Sequence, residues 1–409
     1  MTPTLLKNGL IFDGHSPDLH ADQYVLIEGE RIASITKEKP EAQANEIDLA
    51  GKVIMPGMID CHFHAYAIEA NFPLLESLPA TYVAQAARPL MENALQRGFT
   101  SVRDAGGADH GLWRAVEEGH VKGPRLFYAG KALSQTGGHA DVRPQHLEPC
   151  GCTLHGNLGQ VVDGVDELRK AVRENLRQGA HQIKLMVSGG ISSPTDPIWM
   201  LQFSEEEILA AVDETSRRRA YVMAHAYTAE TIIRGVKLGI RSIEHANLID
   251  QEAAQVVAEH DAFVVPTLAT YQALHLDGKG LGVPQVTLDK LKEVRTQGLE
   301  AIEHCKKAGV KLGFGTDLLG KMHRYQLDEF KIRQEVETPF DILHSATAVN
   351  AELVQHADEL GCVKEGAYAD LLIVDGNPLE DLSLLYESLK GVTQILKGGN
   401  CIGGALPWN

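Results

Sequence analysis

MIDCHFHAY, Met58 to Tyr66, sets two histidines one residue apart at the end of a short apolar run. A strand's period of two turns His62 and His64 to the same face, as a pair of metal ligands requires. Taken alone, the fragment reads equally well as two polar residues punctuating a strand. The chain on either side decides between the two, because the texture of the sequence changes here.

Upstream, residues 3–55 alternate short β-type runs with turns, as in LLKNGLIFDG and QYVLIEGERIASIT, and residues 363–404 do the same in GAYADLLIVDGNPL and GVTQILKGGNCI. Asn8-Gly9, Asp13-Gly14, Asp375-Gly376 and Gly398-Gly399 supply turn chemistry between the apolar runs. Residues 1–55 and 360–409 are therefore expected to fold together as a small β-sandwich. In residues 56–359 strand-like runs alternate with amphipathic stretches. The strand candidates are VIMPGMIDCH, FTSVRDAG, RLFYAGKAL, HQIKLMVSGG, YVMAHAY, RSIEHAN, AFVVPTLAT and VKLGFGTD.

Between the strands, DELRKAVRENLRQG puts Leu168, Val172 and Leu176 on one helical face, and SEEEILAAVDETSRRR opens with a capping box of Ser204 and Glu207. TAETIIRGVKLG and TLDKLKEVRTQGLEAIEHCKKAG read as further helices. Eight strand-plus-helix repeats predict an α/β fold, a (β/α)8 TIM barrel, with an open doubly wound sheet as the alternative. The segment 268–292 reads as a long loop after the seventh strand, placed to act as a lid.

Composition narrows the function class. The 409 residues are 44% hydrophobic and 23% charged, the profile of a globular protein with ample core. A formal net charge of −17 argues against nucleic acid or an anionic membrane surface as partner, while a small anionic substrate stays open. There is no basic segment followed by a long apolar run at the start, and no stretch approaches the ~18 apolar residues of a membrane span. A cytoplasmic location is expected. Six cysteines, with only Cys150-Gly151-Cys152 close together, read as reduced thiols rather than a disulfide framework.

A TIM barrel carries its active site at the C-terminal ends of its strands. There the sequence places His62 and His64 on strand 1, Lys184 on strand 4, His225 on strand 5, His245 on strand 6 and Asp317 on strand 8. Each has an ordinary reading by itself: a core histidine, a helix-capping aspartate, a lysine with a buried partner. Six such residues at one end of one barrel point to a metal site instead. The N and O donors suit zinc and neighbouring divalent ions. The four imidazoles and the Asp317 carboxylate, five ligands without Lys184, exceed what one catalytic ion takes and can serve two, provided something bridges them. A carbamate on Lys184, formed from its neutral amine and CO2, converts a cation into such a bridging anion.

Together with MPGMIDCHFH, GFTSVRDAGG, SQTGGHAD, IEHANLID, FGTDLL and GAYADLLIVDGNPL, these residues make the chain resemble the amidohydrolase superfamily. The resemblance is to its imidazolonepropionase-related branch, and within that to prolidase-like Xaa-Pro and Xaa-Arg carboxypeptidases and ochratoxin-hydrolysing amidases. It implies a binuclear zinc centre: His62, His64 and Asp317 on one ion, His225 and His245 on the other, carboxylated Lys184 and a hydroxide between them. Asp317 would move the proton from water to the leaving amine. The implied reaction is hydrolysis of dipeptides or N-acyl amino acids carrying a free carboxylate, with release of a C-terminal amino acid, proline or hydrophobic. The resemblance also implies a homo-oligomer such as an octamer.

Substrate contacts are expected from His139 on the loop after strand 3, from the Tyr227 hydroxyl, and from Arg103, unless adjacent Asp104 neutralises it. Ser188-Gly189-Gly190 gives a tight turn beside the ligand. The alternative reactions are those of a cyclic amidase or a heterocycle deaminase. The H-x-x-E that deaminases of this superfamily carry after strand 5 is replaced by His225-Ala226-Tyr227-Thr228. A non-catalytic scaffold on the same fold is a third reading, and it sits poorly with a complete ligand set.

Overall fold

The computed structural model describes residues 2–143, 158–193 and 195–404, and Cys150 and Cys152 lie outside the described residues. Two compact units emerge, Met1–Asp60 with Glu92–Val102 and Phe330–Asn409, and Cys61–Met91 with Arg103–Glu329. The terminal segments do combine, but residues 330–359, expected in the barrel domain, group with them. Specific hydrogen bonds draw them there. His344 Nδ1 meets the Gly14 carbonyl at 2.8 Å, and Asn350 Nδ2 donates to the Ile59 carbonyl at 2.7 Å.

The first unit holds a sheet of eight strands. Its spatial order is Asn400–Gly404, Val392–Lys397, Leu371–Val374, Val53–Pro56, Thr4–Ile11, His20–Glu28 and Arg31–Thr36, with Asn45–Asp48 also pairing Thr4–Ile11. The small β-sandwich expected of the N- and C-terminal segments is built on this one connected sheet of both. Its last strand returns to the chain just before Leu371, where Ile32 N–H donates to the Ala367 carbonyl and Gly366 N–H to the Ile32 carbonyl. Alternate residues such as Val25 and Ile27, or Leu371 and Ile373, converge on one apolar core.

The barrel strands are β1 (Met58–Phe63), β2 (Phe99–Asp104), β3 (Arg125–Tyr128), β4 (Gln182–Met186), β5 (Tyr221–Thr228), β6 (Ser242–Leu248), β7 (Phe263–Val265) and β8 (Lys311–Leu312). β1, β2 and β3 are hydrogen-bonded in that order, and β4 to β8 form a parallel run. His181 N–H donates to the Tyr128 carbonyl and so joins β3 to β4. The circle closes where Cys61 N–H donates to the Phe314 carbonyl and Asp317 N–H to the His62 carbonyl, at 2.8 and 2.7 Å. Gly315 makes that closure possible, since a Cβ there would sit 2.6 Å from Val265 and 2.7 Å from the His62 Cβ. β2 is buried along its whole length and β5 nearly so, as strands enclosed on both faces must be.

The outer helices follow the expected faces. Val165–Arg177 buries Leu168, Val172 and Leu176, and Glu205–Arg217 begins with the Ser204–Glu207 capping box. The segment after β7 departs from expectation. It is not a loop but two helices, Leu268–Asp277 and Gln285–Val294, and the run expected as one helix from Thr287 is split by a third, Gly298–Ala308. No helix among the described residues is long and apolar enough to cross a membrane.

Candidate metal centre

His62, His64, Lys184, His225, His245 and Asp317 all line one pocket, joined by His139 and Tyr227. Two of them stand on left-handed backbone, His245 at φ 74° and Asp317 at φ 52°. Non-glycine residues adopt that conformation at a cost, and such strain gathers at functional sites. His245 lies within β6 and Asp317 beyond the end of β8, and both line the pocket.

Three side chains already form an ion-sized cluster. Ligand atoms of His62, His64 and Asp317 lie within 4.8 Å of one another, and Oδ1 of Asp317 is 3.5 Å from His62 Nε2 and 3.1 Å from His64 Nε2. The His225 and His245 rings follow in a chain, with centroids 4.9 Å apart for His62–His245 and 4.7 Å for His225–His245.

Each imidazole is fixed through one nitrogen by a group behind it. His62 Nδ1 is 2.7 Å from Glu244 Oε2, and His64 Nδ1 is 3.0 Å from the Gly106 carbonyl. His245 Nδ1 is 2.8 Å from Thr267 Oγ1, and His225 Nε2 is 3.2 Å from the Gly189 carbonyl. An outer partner on one ring nitrogen sets the tautomer and aims the other at a metal. By that pattern Nε2 of His62, His64 and His245, and Nδ1 of His225, are the ring nitrogens not engaged by these outer partners.

Electrostatics agree with a cation-binding role. Burial, with the Lys184 ammonium nearby, holds His62 well below the ordinary imidazole value. Burial does the same to His225 and brings His245 to about 3. These three are neutral imidazoles. At His64 burial opposes protonation, but the hydrogen bond and charge of Asp317 outweigh it and raise the value. Burial also works to raise Asp317, yet His62, His64 and His245 hold its carboxyl well below the usual range. A metal ion would take over that pairing. Burial lowers the Lys184 amine to about 8, which brings the neutral form that reacts with CO2 within reach of ordinary conditions.

Arg103 is elsewhere. It is fully buried, and its guanidinium donates to the Cys61 carbonyl at 2.6 Å, to Ser242 Oγ at 3.1 Å and to both oxygens of Glu244 at 2.8 and 2.9 Å. The expectation that it meets a substrate carboxylate is corrected: it neutralises the carboxylate that anchors His62. Asp104 does not pair with it either, because neighbours on a strand face opposite ways. Instead Asp104 accepts the Ala65, Gly106 and Ala108 N–H groups and shapes the turn whose Gly106 carbonyl holds His64.

Tyr227 stays at the pocket. Its ring stacks on His245 with centroids 5.4 Å apart, and its hydroxyl accepts from Tyr271 at 2.9 Å, which leaves its own proton to donate. His139 stacks on His225 at 4.1 Å, with Nδ1 2.9 Å from Asp196 Oδ2. Phe72, Val142, Leu158, Ile191, Leu274 and Leu319 give the remaining wall an apolar character. Glu244, Thr267 and Asp196 were not singled out from sequence. In Glu244 the signal was present as the carboxylate preceding His245, but only the fold brings it to His62.

Comparison with known proteins fits this geometry. The model of the amidohydrolase family matches residues 53–401. Ochratoxinase of Aspergillus niger is 32% identical over 426 residues, covering 98% of this chain and 87% of that protein. A solved prolidase in complex with N-methylphosphonate-L-proline is 48% identical with a TM-score of 0.95, covering 98% of this chain and 99% of its own. A Xaa-Pro dipeptidase with bound methionine in its active site is 30% identical with a TM-score of 0.86, covering 98% and 99%.

Proposed function

The chain belongs to the amidohydrolase family, and we propose that within it the protein is a binuclear, zinc-dependent enzyme that cleaves dipeptides or N-acyl amino acids and releases a C-terminal amino acid. The observation that carries this reading is the meeting of the His62–His64–Asp317 cluster with His225, His245 and a buried Lys184 in one pocket.

In this reading His62, His64, His225, His245 and Asp317 would hold the ions, and Lys184, carboxylated, would supply a further anionic ligand. The bound ions would supply a lowered water pKa and a polarised carbonyl. The chain's own residues do the rest. Asp317, ionised and among the imidazoles, takes the proton of the attacking water on a carboxylate oxygen and passes it to the leaving nitrogen. His139 and the Tyr227 hydroxyl orient the carbonyl and the terminal carboxylate. The apolar wall receives the side chains and keeps bulk water from the reacting bond.

Proline is the first choice for the released residue, supported by the likeness to a prolidase seen with a proline phosphonate and to a Xaa-Pro dipeptidase. Hydrophobic residues are the second, supported by the apolar wall. The test is mass-spectrometric detection of amino acids released from a panel of dipeptides and N-acyl amino acids, with zinc supplied. Release of a narrow set led by proline or hydrophobic residues is expected. No release, from protein carrying two ions per chain, overturns the reading in favour of cyclic amides or heterocycles.

A further inference from the structure

Behind His139 lies a second polar assembly. Asp196 is fully buried on the long loop that follows β4. Its Oδ2, besides meeting His139 Nδ1 at 2.9 Å, accepts the Gly190 N–H at 3.1 Å and Gln202 Nε2 at 3.2 Å. Gln202 Oε1 in turn accepts the N–H of His139 at 3.0 Å. The imidazole is gripped at its ring and at its backbone by residues of one loop.

That loop is held from outside. Lys290 reaches across from the helix Gln285–Val294, and its Nζ donates to the carbonyls of Gly190 and Ser193, each at 2.9 Å, and of Asp196 at 2.5 Å. Asp196 Oδ1 lies 3.4 Å from the same ammonium. An ammonium has three donors and no acceptor, and here all of them go to the β4 loop. Gly190 is thereby tied at both its N–H and its carbonyl. A Cβ at Gly190 would stand 2.3 Å from His139 Cε1 and 2.6 Å from His225 Nε2. A small shift of this backbone therefore moves against both rings.

We infer that Lys290 and Asp196 are positioning residues: a bracket between the helix after β7 and the β4 loop that holds His139 with Nδ1 anchored and Nε2 left for substrate. The inference rests on the proposed role of His139 in orienting substrate. It also gives the helical segment after β7 a task that sequence does not suggest. Leu274 brings that segment to the pocket wall, and Lys290 joins the wall to His139.

The test is a double-mutant cycle of Lys290→Met and His139→Ala, with kcat and KM for the best amide of the panel and metal content for every variant. A misplacement of about 1 Å costs about 100-fold, so Lys290→Met is expected to lower kcat/KM by ~10- to 100-fold at unchanged metal content. In the His139→Ala background it is expected to cost less than about twofold, because the group it positions is gone. Equal losses in both backgrounds, or no loss in either, overturn the inference. A wild-type protein inactive on every amide is instead a failure of the functional reading. Amide hydrogen exchange of residues 188–202 keeps the bracket testable in that case: faster exchange there in Lys290→Met supports it, and unchanged exchange overturns it. Lys290→Gln, which loses the charge but retains a donor group, serves if Lys290→Met does not fold.

Discussion

His62 Nδ1 lies 2.7 Å from Oε2 of Glu244, a fully buried carboxylate whose two oxygens also accept from Arg103. The His62 ring is thus oriented by an ion pair sealed inside the barrel. Outer groups of this kind are worth about 10- to 100-fold in metal affinity. Glu244→Gln is expected to weaken zinc binding by about that factor, measured by competition against a chromophoric chelator. Unaltered affinity would show that strand geometry alone aims His62.

The same pair predicts a stability effect. Removing one partner of a buried ion pair leaves an uncompensated charge and costs about 3–5 kcal/mol, whereas replacing both is far milder. Arg103→Met should lower the unfolding free energy, read from urea denaturation, by an amount of that order, and Arg103→Met with Glu244→Gln should recover most of it. If the double variant is as unstable as the single one, the packing of the Arg103 stem matters more than its charge.

Asp317→Asn separates binding from turnover. The amide retains an oxygen donor beside His62 and His64 but cannot carry a proton. Metal content is expected to fall only in part while kcat drops by about 10²- to 10⁴-fold. Full turnover in Asp317→Asn rules out the proton-transfer role.

Lys184 makes the metal-free protein sensitive to alkaline pH in a definite direction. Its folded value of about 8 lies below the ordinary 10.5. Between those limits the unfolded chain binds the proton and the folded chain does not, so stability rises with pH through that window. Lys184→Met removes the contribution. The difference between wild type and Lys184→Met should therefore shift in favour of wild type by on the order of 3 kcal/mol from pH 7.5 to pH 11, read from denaturation midpoints. A flat difference would mean that the amine is not desolvated as the fold implies.

The residues legible in the sequence were those that lie on a barrel strand or just beyond its C-terminal end. His62, Lys184, His225 and His245 occupy strands, His64 and Asp317 follow them, and the eight-fold alternation of the chain puts strand ends together. The groups behind them were not legible. Glu244 serves a histidine 182 positions away, and Lys290 reaches a loop about a hundred positions distant, so local pattern contains neither pairing. The charge of Arg103 suggests a substrate contact, while strand alternation and burial commit it to Glu244. The segment after β7 read as a loop because Gly278, Gly280, Gly282 and Pro284 dominate its middle. The structure confines them to the turn between the two helices.

Zinc titration of amino-acid release is the most direct test of the central claim. Protein stripped by chelator is returned to zinc in steps, with bicarbonate present, and proline release from a Xaa-Pro dipeptide is followed at each step. Activity that is absent without metal and climbs until two ions are bound per chain is the expected result. Full release from the stripped protein, or none with two ions bound across the panel, would contradict the account.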